Sequence, residues 1–102
     1  IKLICVGRLS PEKGIAGLLV AFAELRKSNP KVTLDLVGDG PERAQLDALV
    51  ERLEIGEAVR FLGRLPEAET LRQIADSDVL VLPSFMEGLP IVLMEAMALG
   101  LP

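Results

Sequence analysis

Short apolar runs alternate with helical patterns four times along the chain. The runs cover residues 2–6, 32–37, 59–62 and 79–82, and each is followed directly by a glycine or a proline. Between the runs, apolar residues recur at spacings of three and four, as on the buried face of a helix. Strands that alternate with helices predict parallel pairing through right-handed crossovers. We therefore expect a three-layer α/β fold, with a Rossmann-like parallel sheet and helices on both faces.

The helical patterns differ in strength. The first is the clearest, and its apolar face consists of Ile15, Leu18, Leu19, Phe22 and Leu25. Pro11 before it and Asn29-Pro30 after it are typical boundary signals. A second helix is predicted to begin at Pro41, with an apolar face of Leu46, Leu49, Val50 and Leu53. Residues 68–75 predict a weaker helix, and residues 91–99 predict a final helix that is apolar nearly all round.

The end of the chain bears on its completeness. Val79–Leu82 shows no alternation, which predicts a strand buried on both faces. Gly100-Leu101-Pro102 is typical of a helix stop that leads into another strand. Four parallel strands without a closing strand would leave one sheet edge bare. We therefore expect residues 1–102 to be the incomplete core of one domain.

Composition narrows the classes of function. The 102 residues suffice for one domain, and the formal net charge of −4 argues against a general attraction to nucleic acid or anionic lipid. The chain has no histidine and one cysteine, so neither a zinc site nor a Cys/His nucleophile pair is expected. Because Cys5 lies in an apolar run, we expect a buried thiol.

The sequence also bears on the cellular compartment of the protein and on its contact with membranes. No apolar stretch is long enough to span a bilayer, and the N-terminus lacks the plan of a signal peptide. We expect a cytoplasmic protein. Association with the inner face of a membrane stays open, through regions that this chain does not include.

Candidate ligand-binding residues follow the predicted strands, because ligands of open parallel sheets bind at the carboxyl ends of the strands. In the first such loop, Arg8 and Lys13 lie beside a helix N-terminus, whose partial positive charge favours anions. A planar guanidinium fork and a mobile ammonium are complementary ways of holding a diphosphate. The alternative is two solvated cations that pair with Glu12, and spacing alone does not decide between the two.

Two further patterns carry weaker signals. Gly38-Asp39-Gly40 resembles the start of a dinucleotide fingerprint, but Arg43 stands where that pattern needs glycine or alanine. Glu87 follows the fourth strand, and Glu95 lies on an otherwise apolar helix, where a lone carboxylate needs a hydrogen-bonding partner. A ribose diol would be one such partner, and local backbone or an arginine would be another.

Taken together, these segments resemble the donor half of the retaining GT-B glycosyltransferases of family four. The matching segments are VGRL with EKG, LVGDGP, FLG and, most specifically, SDVLVLPSFMEGLPIVLMEAMALGLP with its paired glutamates. The resemblance implies that residues 1–102 bind a UDP- or GDP-sugar and face an N-terminal acceptor domain of the same enzyme. The implied reaction is transfer of a hexosyl group with retention of configuration.

The resemblance also implies roles for single residues. Arg8 and Lys13 would grip the donor diphosphate and stabilise charge on the leaving group, so that neither a metal nor another cofactor is expected. Glu95 would bind the ribose hydroxyls, and Glu87 would face the sugar ring and the reaction centre. Leu65 would contact the base through its backbone.

A helix that begins near Pro90 would aim backbone N–H groups at the same diphosphate. Proline has no N–H and is favoured in a first helical turn, where many relatives have glycine. The donors implied by the resemblance are therefore Leu89, Ile91 and Val92.

Two other functions stay open at this point. The chain could be a nucleotide-binding GT-B module without catalysis, or part of another GT-B enzyme such as a nucleotide-sugar epimerase. The paired glutamates Glu87 and Glu95 weigh against the epimerase. Because the acceptor domain is missing, we expect no transfer by these 102 residues alone.

Overall fold

A computed structural model describes residues 1–10 and 14–81. The strands are β1 (Lys2–Val6), β2 (Thr33–Val37), β3 (Val59–Gly63) and β4 (Val79–Val81). They are connected by the helices α1 (Ile15–Ser28), α2 (Arg43–Arg52) and α3 (Glu67–Ala75). The strands form one sheet in the order β3-β2-β1-β4, and all three pairings are parallel. The predicted Rossmann-like sheet is confirmed.

The order of the strands determines where the helices lie. The chain moves in one direction from β1 to β2 to β3 and then returns past β1 to form β4. With right-handed crossovers, α1 and α2 lie on one face of the sheet and α3 lies on the other. The main core lies under α1 and α2, where the strands contribute Leu3, Cys5, Leu34, Leu36, Val59 and Val81.

The three helix predictions that fall on described residues agree with the structure except in their bounds. All five predicted core residues of α1 are at most 6% exposed. The helix α2 begins at Arg43 and not at Pro41, because Pro41 and Glu42 form a turn ahead of it. Residues 91–99, the predicted final helix, lie outside the described residues. Within the described ranges, no helix is long and apolar enough to cross a bilayer.

The prediction that the fourth strand is buried on both faces was wrong for Leu80. Its side chain is 41% exposed, whereas Val81 is 2% exposed. Adjacent side chains of a strand point to opposite faces of the sheet. Leu80 pairs with Ile4 and therefore points away from the core under α1 and α2. Leu82 lies outside the described residues.

Cys5 is buried as predicted, with 3% of its surface exposed. Burial raises the pKa of its thiol to about 12, because the thiolate would lose its hydration. The reactive form of a cysteine is the thiolate, so Cys5 is a packing residue of the core and not a nucleophile.

A buried carboxylate joins the first three strands. Asp35 on β2 is 1% exposed, and the Arg60 guanidinium on β3 donates two hydrogen bonds to its two carboxylate oxygens at 2.8 and 2.7 Å. The Nζ atom of Lys2 on β1 lies 3.4 Å from the Oδ2 atom of Asp35. Burial alone would raise the pKa of Asp35, but hydrogen bonds and charge from Arg60 and Lys2 outweigh it and hold that pKa below its usual value.

Arg60→Ala should lower the free energy of unfolding by about 2 kcal/mol at neutral pH, because it removes two hydrogen bonds from a buried carboxylate and leaves it paired with Lys2 alone. The control is Arg72→Ala, which removes an exposed ion pair with Glu69 and should change stability by less than about 0.5 kcal/mol. Urea titrations of the three proteins measure both effects.

The loss caused by Arg60→Ala should depend on pH. A depressed pKa in the folded state stabilises the protein above the unfolded pKa of about 3.9, and this stabilisation is lost as the pH falls through the folded value. The difference between wild type and Arg60→Ala should therefore shrink below about pH 4. Equal stability of Arg60→Ala and Arg72→Ala at pH 7 would contradict the assigned role of the pair.

Candidate functional site

A cleft of about 560 Å³ opens at the carboxyl ends of β1, β2 and β3. Its walls are residues 6–8 at the end of β1, residues 37–40 at the end of β2 and residues 64–65 after β3, with Thr70 on α3. The strands are parallel, so their carboxyl ends meet at one edge of the sheet. The cleft lies where the sequence predicted a ligand.

The structure brings two of the predicted site residues together. Arg8 and Leu65 both line the cleft, although they belong to different loops. Arg8 is exposed, and among the described residues it forms no ion pair. The other predicted site residues, and Glu12, lie outside the described ranges: Lys13, Glu87, Leu89, Ile91, Val92 and Glu95.

Backbone hydrogen bonds hold the three loops at their starting points. The N–H of Gly7 donates to the carbonyl of Val37 at 3.0 Å, and the N–H of Gly38 donates to the carbonyl of Gly63 at 2.7 Å. The two bonds continue the pairing of the sheet into the loops. The walls of the cleft are therefore set by the sheet itself.

Gly38 is required where the first two loops meet. A Cβ atom at this position would overlap the carbonyl oxygen of Gly7 and lie 2.9 Å from its carbonyl carbon. The φ angle of Gly38 is 135°, a backbone conformation that residues other than glycine rarely adopt. Both facts exclude a larger residue here. They account for the first glycine of Gly38-Asp39-Gly40 without any dinucleotide.

Three residues that were not among the predicted ligand contacts complete the cleft. Arg64 adds a second guanidinium at its rim, and the hydroxyl of Thr70 donates to the carbonyl of Pro66 at 3.1 Å. Asp39 directs one carboxylate oxygen to its neighbour, the N–H of Gly40, at 2.8 Å. Arg64 directly follows a strand-ending glycine, as Arg8 does, and this shared pattern could have identified it.

Arg43, which breaks the dinucleotide pattern, has a structural role. Its guanidinium lies over the ring of Phe61, 4.3 Å from the centroid, and its Nε atom donates to Asp47 at 3.1 Å. The contact with Phe61 attaches the first turn of α2 to β3. The start of α2, behind the cleft, is thereby fixed to the sheet.

The cleft is suited to an anionic ligand. Among the described residues, the guanidinium groups of Arg8 and Arg64 line it, and the one carboxylate in its walls, that of Asp39, accepts a backbone hydrogen bond. In the part of the chain that the structure describes, no group of three acidic, cysteine or histidine side chains could hold a metal ion. An arginine fork binds phosphate oxygens in a bidentate manner.

Comparison with known proteins then decides the family. The profile of the family described as glycosyl transferases group 1 matches residues 1–102, the whole chain. The chain belongs to the glycosyl transferases group 1. Its resemblance to GT-B glycosyltransferases, inferred from the strand-end loops, is confirmed by solved structures that share its fold.

Three similar proteins illustrate the family. The glycogen synthase of Mycobacterium tuberculosis is 36% identical over 101 residues, which are 99% of this chain and 24% of that protein. The pneumococcal O-GlcNAc transferase GtfA, solved with UDP and GlcNAc, has a TM-score of 0.74 at 31% identity, covering 99% of this chain and 19% of its own. Anabaena HepE, solved with UDP-glucose, has a TM-score of 0.65 at 30% identity. The match covers 99% of this chain and 28% of the HepE chain.

These group 1 relatives are much longer than the chain. It spans about a quarter of the length of the curated relatives that it matches.

Gly38→Ala should lower the free energy of unfolding by about 2–4 kcal/mol, because it adds overlap with Gly7 to an unfavourable φ angle. The matched control is Gly56→Ala, whose added Cβ would meet only a Val50 methyl group at 4.0 Å. Urea denaturation of both variants and of wild type measures the difference. If Gly38→Ala were as stable as Gly56→Ala, the close approach of the two loops would be wrong.

Proposed function

We propose that this domain binds the nucleoside diphosphate of a UDP- or GDP-sugar in the cleft after β1, β2 and β3. In a longer enzyme it would serve the transfer of a hexosyl group, with retention, to an acceptor held by an N-terminal domain. The observation that carries the proposal is the meeting of Arg8 and Leu65 in one cleft of about 560 Å³. Small-molecule sites typically enclose about 300–1,000 Å³.

In this proposal Arg8 binds the diphosphate. Its fork offers parallel N–H donors to two phosphate oxygens, and its charge stabilises the negative charge that develops on the leaving nucleotide. Lys13 supplies the second cation from the same loop. Since two cations then stand at the diphosphate, we propose that neither a metal ion nor another cofactor is needed.

The other donor contacts are proposed on the family resemblance. The backbone of Leu65 contacts the base, which places the base beside the loop after β3. Glu95 accepts hydrogen bonds from the ribose hydroxyls, and Glu87 faces the sugar ring at the reaction centre. Leu89, Ile91 and Val92 direct backbone N–H groups to the diphosphate.

The family relatives support this choice of ligand. GtfA was solved with UDP and GlcNAc, and HepE was solved with UDP-glucose. Both align with 99% of this chain at 30% identity or more. We assign transfer itself to the longer enzyme, because the chain spans about a quarter of its curated relatives.

Calorimetric titration of UDP and GDP, separately and with or without Mg²⁺, tests the proposal. We expect saturable binding of one nucleotide that does not depend on the metal. Arg8→Ala and Glu95→Ala should each weaken this binding by about tenfold or more, because each removes a charged side chain that forms hydrogen bonds with the nucleotide.

The matched control for Arg8→Ala is Arg52→Ala. Arg52 is an exposed arginine in the last turn of α2 and does not line the cleft, so the two variants change the net charge equally. Arg52→Ala should bind like wild type. Absence of binding to folded wild type, or equal weakening by the two substitutions, would contradict the proposal.

A further inference from the structure

The peptide groups of Leu9 are held by the loop after β2. Leu9 directly follows Arg8, and its side chain is 1% exposed within the core. Its N–H donates to the carbonyl of Asp39 at 3.1 Å, and its own carbonyl accepts the N–H of Glu42 at 3.0 Å. Both polar backbone groups of Leu9 are thus bonded to the neighbouring loop, and we call this arrangement the Leu9 clamp.

Gly40 lies inside the Leu9 clamp. A Cβ atom on Gly40 would overlap the carbonyl oxygen of Leu9 and would lie 2.8 Å from its carbonyl carbon and 2.9 Å from its nitrogen. All of these atoms belong to backbone, so they cannot move aside as a flexible side chain would. Gly40 has no positive φ angle, in contrast to Gly38. Glycine is therefore required at position 40 only because the backbone there lies so close to the backbone of Leu9.

The Leu9 clamp also fixes Arg8. On one side of Arg8, the N–H of Gly7 is bonded to Val37, and on the other side Leu9 is bonded to Asp39 and Glu42. The backbone of Arg8 is therefore held at both ends while its side chain is exposed to the cleft. A guanidinium on a fixed backbone loses less freedom when it binds phosphate than one on a mobile loop.

We propose that Gly40 is a positioning residue for Arg8. By lacking a Cβ atom it allows the Leu9 clamp to close, and the closed clamp holds Arg8 where its guanidinium meets the diphosphate. This inference rests on the proposed nucleotide binding. It gives the second glycine of Gly38-Asp39-Gly40 a role in ligand affinity without any contact to the ligand.

A double-mutant cycle separates this role from a purely structural one. Gly40→Ala should weaken binding of the preferred nucleotide, UDP or GDP, by about tenfold, whereas binding of the matching nucleoside, which has no phosphate, should change by less than about twofold. In an Arg8→Ala background the further loss on Gly40→Ala should nearly vanish, since the guanidinium to be positioned is gone. Gly17→Ala, at an exposed helical glycine with no atom within 4 Å of the added Cβ, is the control.

Amide hydrogen exchange tests the Leu9 clamp without any ligand. In wild type the amides of Leu9 and Glu42 should be protected, and Gly40→Ala should remove that protection while the amides of β1 and β2 keep theirs. Unprotected Leu9 and Glu42 amides in wild type would overturn the inference, even if Gly40→Ala failed to fold. Unchanged nucleotide affinity in a folded Gly40→Ala protein would overturn it as well.

The remaining outcomes are also distinguishable. Equal losses on Gly40→Ala with and without Arg8 would show that the substitution acts elsewhere, and would overturn the inference while leaving nucleotide binding intact. If folded wild type bound neither UDP nor GDP but kept protected Leu9 and Glu42 amides, the proposed function would fail. The Leu9 clamp would then stand as structure, and the positioning of Arg8 for a diphosphate would be refuted.

Discussion

The loops that follow β1 and β2 approach each other so closely that two positions between them have no room for a Cβ atom. Gly38 meets the carbonyl of Gly7, and Gly40 meets the backbone of Leu9. The contact brings the loop after β1, with Arg8, and the loop after β2, with Asp39, into one wall of the cleft. Without it the strands could still pair, but the loops at their ends would separate. The shape of the cleft therefore depends on backbone contact more than on side chains.

The strands carry a second constraint at a distance from the cleft. Asp35 is bonded to Arg60 on one neighbouring strand and lies beside Lys2 on the other. A shift of one residue in the pairing would turn Asp35 into the apolar face that holds Leu34 and Leu36. The buried carboxylate therefore disfavours other registers. Correct register brings the strand ends level, and level strand ends are what allow the two loops to meet.

The fold and part of the site could be predicted from the sequence. The alternation of short apolar runs with helical patterns was sufficient to predict the parallel sheet, because the spacing of apolar residues shows which segments are buried strands and which are helices with one buried face. Arg8 could be placed at the ligand-binding edge because parallel topology gathers the strand ends, whereas Leu65 was implied by the family resemblance. Leu80 was placed wrongly, since a continuous apolar run does not reveal which face of a strand stays exposed.

The contacts between distant segments could not be predicted. In the sequence Gly40 looks like an ordinary turn residue. Its close contact with the backbone of Leu9 exists only once both loops have folded. The pairing of Asp35 with Arg60 depends on a register that no local pattern gives. A charged residue inside an apolar strand was the available signal, because such a residue needs a partner on a neighbouring strand.

The proposed site for a nucleoside diphosphate lies at the carboxyl ends of the strands. A ¹H–¹⁵N NMR titration with UDP and with GDP tests it most directly, because it locates the ligand residue by residue. If the nucleotide binds there, we expect shifts at the amides of residues 7–9, 38–40 and 64–65, and little change at residues 28–32 at the opposite end of the sheet. Shifts centred on residues 28–32, or none at millimolar nucleotide in a folded protein, would contradict it.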